Sequence, residues 1–263
     1  MFLRYLLVPV IVLGASTMAI ADDADISFGG SPRMLSGKTT VVMQSEVVTM
    51  TVGADNVAVD CQFVFRNDGP ACDVRIGFPD TGEGGADPYS IDHYDKPLPN
   101  GTFDYFRSYV DGKRVEVKIV REASRNGRIW HAKVVHFGRG QTVRVRDVYS
   151  TVVGVRSGGY PGYSGPFYST SYVLDTGASW AGNIGRAEIV VHMKRPGQSP
   201  VRLASYVAAG KPDPYSIPWP KFPKGTVLWQ GPCQPVLKGD TFRFVRSNFE
   251  PTEQDDVQLF FKK

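Results

Sequence analysis

Residues 57–66 read Val-Ala-Val-Asp-Cys-Gln-Phe-Val-Phe-Arg, and their alternation decides the fold class. Val57, Val59, Cys61, Phe63 and Phe65 hold one parity, while Ala58, Asp60, Gln62, Val64 and Arg66 hold the other. A period of two puts the first set on one face of a strand and the second on its opposite face. The same period sets Val115, Val117 and Ile119 against Arg114, Glu116 and Lys118. Further strand windows lie at 40–52, 72–78, 105–110, 128–137, 141–153, 168–174, 184–193, 201–207, 226–230, 240–246 and 256–262. No window after residue 21 carries a helical period. Short strands separated by NDG, VDGK, RNG and LKGD turns predict an all-β fold, an antiparallel β-sandwich of immunoglobulin-like type.

Three stretches read as loops by composition. Residues 79–102 are acidic and rich in Gly and Pro, 154–167 are rich in Gly, Tyr and Ser, and 208–225 hold five prolines. The middle one is the natural joint between two sandwiches in tandem, the first over 36–153 and the second over 168–263, with 22–35 as an N-terminal segment. One fused sandwich is the alternative. The start of the chain has its own logic. Arg4, an apolar run over Tyr5 to Leu13 and the small-residue close Ala19-Ile20-Ala21 give the order of a cleavable signal peptide, 1–21. The apolar run is too short to span a bilayer, and no later segment is apolar enough, so a periplasmic or secreted protein without an integral membrane segment is expected.

Composition excludes some classes. Over 263 residues, 42% hydrophobic and 21% charged residues are incompatible with a mainly disordered chain. A formal net charge of +4, from 30 basic against 26 acidic side chains, is too balanced for a nucleic-acid binder, and no nucleic-acid motif is present. The three cysteines do not define a disulfide scaffold. With the NDGP stretch taken as a hairpin turn and Arg66 facing Ala71, Cys61 falls opposite Ile76, four strand steps from Cys72. That is about 13 Å, beyond disulfide reach. Cys61 and Cys72 are then small core residues, and a bond from one of them to Cys233 stays open.

Catalytic patterns are weak. Gly177-Ala178-Ser179-Trp180-Ala181 brushes against a nucleophile elbow, but Ile184 to Val191 continue as a strand where a helix would be needed. A turn anchored by Trp180, with Gly182 and Gly185 giving positive φ or close backbone approach, explains the residues better. Of the histidines, His131 and His136 are five apart on one strand, so their rings leave on opposite faces and share no metal. There is no H-E-x-x-H, paired C-x-x-C or P-loop glycine array, so no metal and no cofactor is expected. Asp80, Glu83, Asp87, Asp92 and Asp95 crowd the first loop; calcium would suit such oxygens, but the spacing matches no EF-hand and a solvated acidic loop is the simpler reading.

Binding patterns are stronger. Residues 107–146 hold eleven basic and three acidic side chains. Arg114 and Lys118 oppose the apolar phase of their strand, and Arg144 and Arg146 oppose Val143 and Val145, which puts the charge on solvent faces. Aromatic rings supply a second clue: Tyr160 and Tyr163 among Gly and Ser, Tyr215 and Trp219 among prolines. Such loops either bind sugars and peptides or pin themselves to the sandwich.

Several segments together carry a family resemblance: Gly29-Gly30, SEVVTMTV at 45–52, FVFRNDGPACDVRIGFPD at 63–80, the Trp strand and Gly-Gln turn of 130–141, YVLDTGASWAGNIGRAEIVV at 172–191 and SNFEPTEQDDVQLFF at 247–261. The chain resembles the exported bacterial proteins grouped as Domain of Unknown Function 4424, over nearly all of its length after residue 21, with a longer loop after Phe78-Pro79. The resemblance implies an exported bacterial all-β protein and transfers no catalytic residue. The reading that follows is a non-catalytic binding protein of the cell envelope. Its partner is an anionic envelope polymer or an envelope protein, met by Arg114, Lys118, Arg144, Arg146, Tyr160, Tyr163, Tyr215 and Trp219. An assembly subunit and a cell-wall hydrolase are the alternatives.

Overall fold

Seventeen strands form three sheets in the computed structural model, which describes residues 29–36, 40–80, 102–121, 129–156, 167–194, 201–208 and 225–261. In chain order they are β1 (Arg33–Met34), β2 (Val41–Val52), β3 (Asn56–Asn67), β4 (Cys72–Asp80), β5 (Tyr105–Val110), β6 (Lys113–Val115), β7 (Lys118–Arg121), β8 (Ile129–Phe137) and β9 (Thr142–Val152). There follow β10 (Gly154–Arg156), β11 (Phe167–Tyr172), β12 (Ile184–Met193), β13 (Arg202–Ala208), β14 (Thr226–Gly231), β15 (Val236–Lys238), β16 (Thr241–Phe249) and β17 (Val257–Phe261). Helical structure among the described residues is confined to short 3-10 turns at Asp175–Ser179 and Glu253–Asp255. The all-β sandwich class is therefore correct.

One long sheet organises the molecule. Its order is β15-β16-β12-β2-β3-β9-β5-β6. A four-stranded sheet, β1-β4-β8-β7, packs on the β3–β9 half, where Phe65 meets Phe137 at 6.2 Å and Phe78 meets Tyr149 at 5.3 Å between ring centroids. A five-stranded sheet, β10-β11-β17-β14-β13, packs on the other half, with Trp229 6.2 Å from both Phe242 and Phe244. One contiguous buried cluster runs through all three sheets. The strands on either side of 154–167 are not separate sheets, because β12 pairs with β2 in the middle of the long one. That pairing is parallel, as is β13 with β14, so the sheets are mixed and not wholly antiparallel.

Two expectations about neighbours are corrected. β3 and β4 do not form a hairpin: β3 pairs with β2 and β9 in the long sheet, and β4 with β1 and β8 in the four-stranded one. NDG is a strong hairpin signal, but Asn67 is buried and spends its side chain on the crossing itself. Its Oδ1 accepts from Thr40 Oγ1 at 2.7 Å and from the Gly69 amide at 3.0 Å, and its Nδ2 donates to the Pro70 carbonyl at 2.7 Å. Its backbone exchanges bonds with Gln141 and Gly140, which lie in the neighbouring crossing from β8 to β9. Two arches thus stand side by side at one end of the sandwich. The second correction concerns 114–119, which is not one strand: β6 ends at Val115 in the long sheet and β7 begins at Lys118 in the four-stranded sheet. The VDGK turn does make the hairpin from β5 to β6, with Asp111 and Gly112 both at positive φ.

The turn 175–183 is structural. Trp180 is buried 4.4 Å from Phe65, and its indole N–H donates to the Pro32 carbonyl at 2.7 Å. Ser179 Oγ accepts the Met34 amide at 2.8 Å, fastening β1 beneath it. Gly182 takes φ of 65°.

Candidate functional site

The outer face of the long sheet is built by the arithmetic of register. On β9, Val143 and Val145 are buried while Arg144 and Arg146 are exposed. Arg146 stands opposite Gln62 on β3 and opposite Tyr109 on β5, and Tyr109 stands opposite Arg114 on β6. Arg114, Tyr109, Arg146 and Gln62 therefore form one row across four strands, on a single face. The adjoining rows contribute Arg107 beside Val148 and Asp60, Arg144 beside Val64, and Arg66 beside Thr142. Arg114, Arg144 and Arg146 are brought together as their parity predicts.

Lys118 is not part of this face. It lies opposite Ala132 on the outer side of the four-stranded sheet, because the chain changes layers at 116–117. Tyr160, Tyr163, Tyr215 and Trp219, the carboxylates Glu83, Asp87, Asp92 and Asp95, and the signal segment lie outside the described residues.

The face is only partly self-neutralised. Arg146 forks onto Asp60 with bonds of 2.9 Å from Nε and 2.6 Å from its terminal nitrogen, and this carboxylate pushes the Arg146 pKa up. Arg66 pairs with Asp68 at 2.6 Å. Asp111 receives the backbone amide of Arg144 at 2.9 Å, not its guanidinium. Five guanidinium groups (Arg66, Arg107, Arg114, Arg144 and Arg146) thus share four carboxylates, Asp60, Asp68, Asp111 and the Glu116 that lies near Arg107 and Arg114, and neither Arg114 nor Arg144 has an ion pair among the described residues. Tyr109 lies 5.9 Å beneath the Arg146 guanidinium, and Tyr105 lies 5.1 Å from that of Arg107. Rings under the guanidinium planes keep the charges spread over the sheet.

Beneath this face is a polar seam that parity reading missed. Glu46 is fully buried and its carboxylate accepts Ser31 Oγ at 2.7 and 2.8 Å and Tyr172 OH at 2.7 Å. Burial raises its pKa from 4.5 to about 7, against the pull of those two hydroxyls. Cys61 lies close by, its thiol pushed up by burial and by the fields of Glu46 and Asp147. Lys133 reaches from β8 to grip both Asp147 oxygens at 2.6 and 2.7 Å, with both side chains out of solvent. Asp80 accepts from Thr102 through both backbone amide and hydroxyl, and lies 3.2 Å from His131 Nε2. His131 is buried and His136 exposed on the opposite face, as their odd spacing requires. Each of these groups fastens one layer or loop to another: Glu46 ties the 29–32 segment and β11 to β2, and Lys133 ties the two sheets. Among the described residues no group of three or more His, Cys, Asp or Glu is placed to hold a metal ion, and no helix is long and apolar enough to cross a membrane.

Comparisons place the fold. No family model matches the chain, and no curated protein matches it. Among solved structures, it is similar to a Legionella pneumophila protein provisionally described as nutrient binding, at 18% identity and a TM-score of 0.61, with 91% of this chain and 73% of that one covered. It also overlaps an M1 zinc metallopeptidase of Deinococcus radiodurans at 10% identity and a TM-score of 0.36, spanning 43% of that chain. The first supports the all-β architecture; the second is too distant to bear on anything further.

Proposed function

We propose that this chain is a non-catalytic binding protein of the bacterial cell envelope, and that the arginine face of the long sheet meets an anionic envelope polymer. One observation carries the reading: five arginines from β3, β9, β5 and β6 stand on one exposed face with four carboxylates among them, and neither Arg114 nor Arg144 has an ion pair among the described residues. A rigid sheet presents those charges at fixed spacing, which suits a repeating anion and costs little ordering on contact. Support comes from the signal-like 1–21 segment, from the exported family that the motifs resemble, and from the binding role given to the Legionella protein of similar fold. The buried carboxylates and Lys133 are committed to each other and to the layers they join, which among the described residues leaves the outer face as chemistry available to a partner.

The test is co-sedimentation of the purified protein with isolated bacterial envelope fractions at low and moderate salt, repeated with Arg144→Ser and Arg146→Ser together. Binding that weakens with salt and with the double substitution supports the reading. Sedimentation that ignores both would reject the electrostatic face and leave an apolar or protein partner. No sedimentation with any fraction, together with a defined larger assembly on size-exclusion chromatography, would favour an assembly subunit.

A further inference from the structure

Lys118, which the change of layer takes away from the arginine face, has cationic company of its own. On the outer side of the four-stranded sheet the register runs Arg33–Gly77–Ala132–Lys118 across β1, β4, β8 and β7. Cross-strand partners share a face, so a cation closes each end of that row, the two ends about 14 Å apart at about 4.8 Å per strand. The next row sets Arg75 beside Val134, and the one after it sets Asp73 beside His136. Arg33, Arg75 and Lys118 are exposed, and Val134 is 65% exposed between them and His136. Asp73 is the one carboxylate on this face among the described strand residues, and His136 already holds it at 2.7 Å. None of the three cations has an ion pair among the described residues; Arg33 lies 5.8 Å over the Trp130 ring, which keeps it on the sheet.

The two cationic faces lie back to back. Phe65 and Tyr149, which meet the four-stranded sheet, have the opposite parity to Arg66, Arg144 and Arg146, so the arginine face points away from that sheet and the Arg33, Arg75 and Lys118 face points away from the long one. Charge is not spread evenly over the outside of the molecule. The outward phase of β11, β14 and β17 carries uncharged residues, Ser169, Ser171, Leu228, Gln230, Gln258 and Phe260 among them. Packed sheets lie about 10 Å apart, with these side chains standing outward on either side. The two sets of charge are therefore separated by more than a Debye length of about 8 Å at physiological salt, and an anion held on one face does not repel an anion arriving at the other.

We infer that the protein bridges two strands of anionic polymer, one on the arginine face and a second on the face of Arg33, Arg75 and Lys118. This rests on the polymer-binding reading for the first strand and adds the second. A sandwich cationic on both outer sides acts as a cross-link, holding neighbouring polymer strands about one protein thickness apart.

The experiment is a two-step capture at low salt. Beads coated with polyphosphate, and in parallel with poly-L-glutamate, are loaded with the protein, washed and then offered the same polymer in fluorescent form. The expected result is that loaded beads capture the labelled polymer and bare beads do not. Arg75→Ser with Lys118→Ser should still load, through the arginine face, but its capture per bound protein should fall roughly tenfold or more, the weight of two cations beside an anionic surface. An unchanged thermal midpoint would show that this variant folds. Capture by the Arg75 and Lys118 variant equal to that of the parent would overturn the second face, since bridging would then come from arginine faces of associated copies. A parent that loads but captures nothing would overturn bridging and leave the arginine face standing. No loading on either polymer would overturn bridging too, with envelope sedimentation deciding the arginine face by itself. Loading that survives Arg144→Ser with Arg146→Ser but is lost with Arg75→Ser and Lys118→Ser would make the second face the sole binding surface and likewise overturn bridging.

Discussion

Gly185 lies against the backbone carbonyl of Gln44, closer than any side chain would allow: a Cβ at position 185 would overlap that oxygen. Gln44 is where β2 bulges, its register against β3 shifting between Met43 and Ser45. Before the bulge, Val41 and Met43 face the core; after it, Glu46, Val48, Met50 and Val52 do. A one-residue insertion flips every later side chain to the other face, and the missing Cβ of Gly185 leaves room for the bulge beside β12. Gly185→Ala is expected to cost about 1–3 kcal/mol, as overpacking does, read as a lower thermal or denaturant midpoint. Gly182→Ala offers a contrasting case: its Cβ has open space, so only the positive φ of 65° opposes it and a smaller loss is expected. Equal stability of Gly185→Ala and the parent would mean that the bulge is not held this way.

Because the bulge turns Glu46 inward, it also sets a pH dependence. The folded state raises the Glu46 pKa from 4.5 to about 7, so between those values the folded chain holds a proton that the unfolded chain has released. Stability from this group is therefore greatest below about pH 4.5 and declines as pH rises toward 7, by roughly 3 kcal/mol in all. Glu46→Gln should remove the Glu46 share of that slope, leaving the share of Asp256, whose carboxyl burial likewise raises to about 7, and be at least as stable as the parent at pH 8. Denaturant midpoints across pH 4.5–8 measure it; a parent and variant with the same slope would place the titration elsewhere.

Parity reports which face of its strand a residue occupies. Alternation over 57–66 and 142–146 correctly assigned strands, buried valines and the exposed Arg144 and Arg146. Parity says nothing about which sheet a strand joins. Residues 114–119 keep their alternation straight through a change of layer, so alternation alone puts Lys118 with Arg114 although it lies on another sheet. NDG misled because Asn67 acts through a buried amide that bridges two arches, a use that its local sequence does not distinguish from a hairpin turn. The slip from odd to even apolar positions in 41–52 was the one available sign of Glu46. The parallel pairing of β2 with β12 joins residues far apart in the chain and left no local trace.

The thiols should differ sharply in reactivity. Cys61 is buried, and both desolvation and the nearby carboxylates oppose the thiolate that alkylation requires. Cys233 is exposed, with a smaller upward push from partial burial, and Cys72 is half-buried at the start of β4. Native iodoacetamide labelling at pH 8 followed by peptide mass analysis should modify Cys233 first and leave Cys61 intact until denaturant is added. Early modification of Cys61 would show that the seam opens readily.

The ion pair between Lys133 and Asp147 separates a stabilising contact from a committed one. Both side chains are out of solvent, so removing one leaves the other charge buried without its partner. Lys133→Met or Asp147→Asn alone is expected to cost about 3–5 kcal/mol, whereas replacing both by apolar residues of similar volume should recover most of that loss. The pair would then be specifying how the four-stranded sheet sits on the long one more than adding net stability. Denaturant midpoints of the two single variants and the double close the cycle. Additive losses, with no recovery in the double variant, would mean that each group is held by contacts other than its partner, and the layers by something other than this pair.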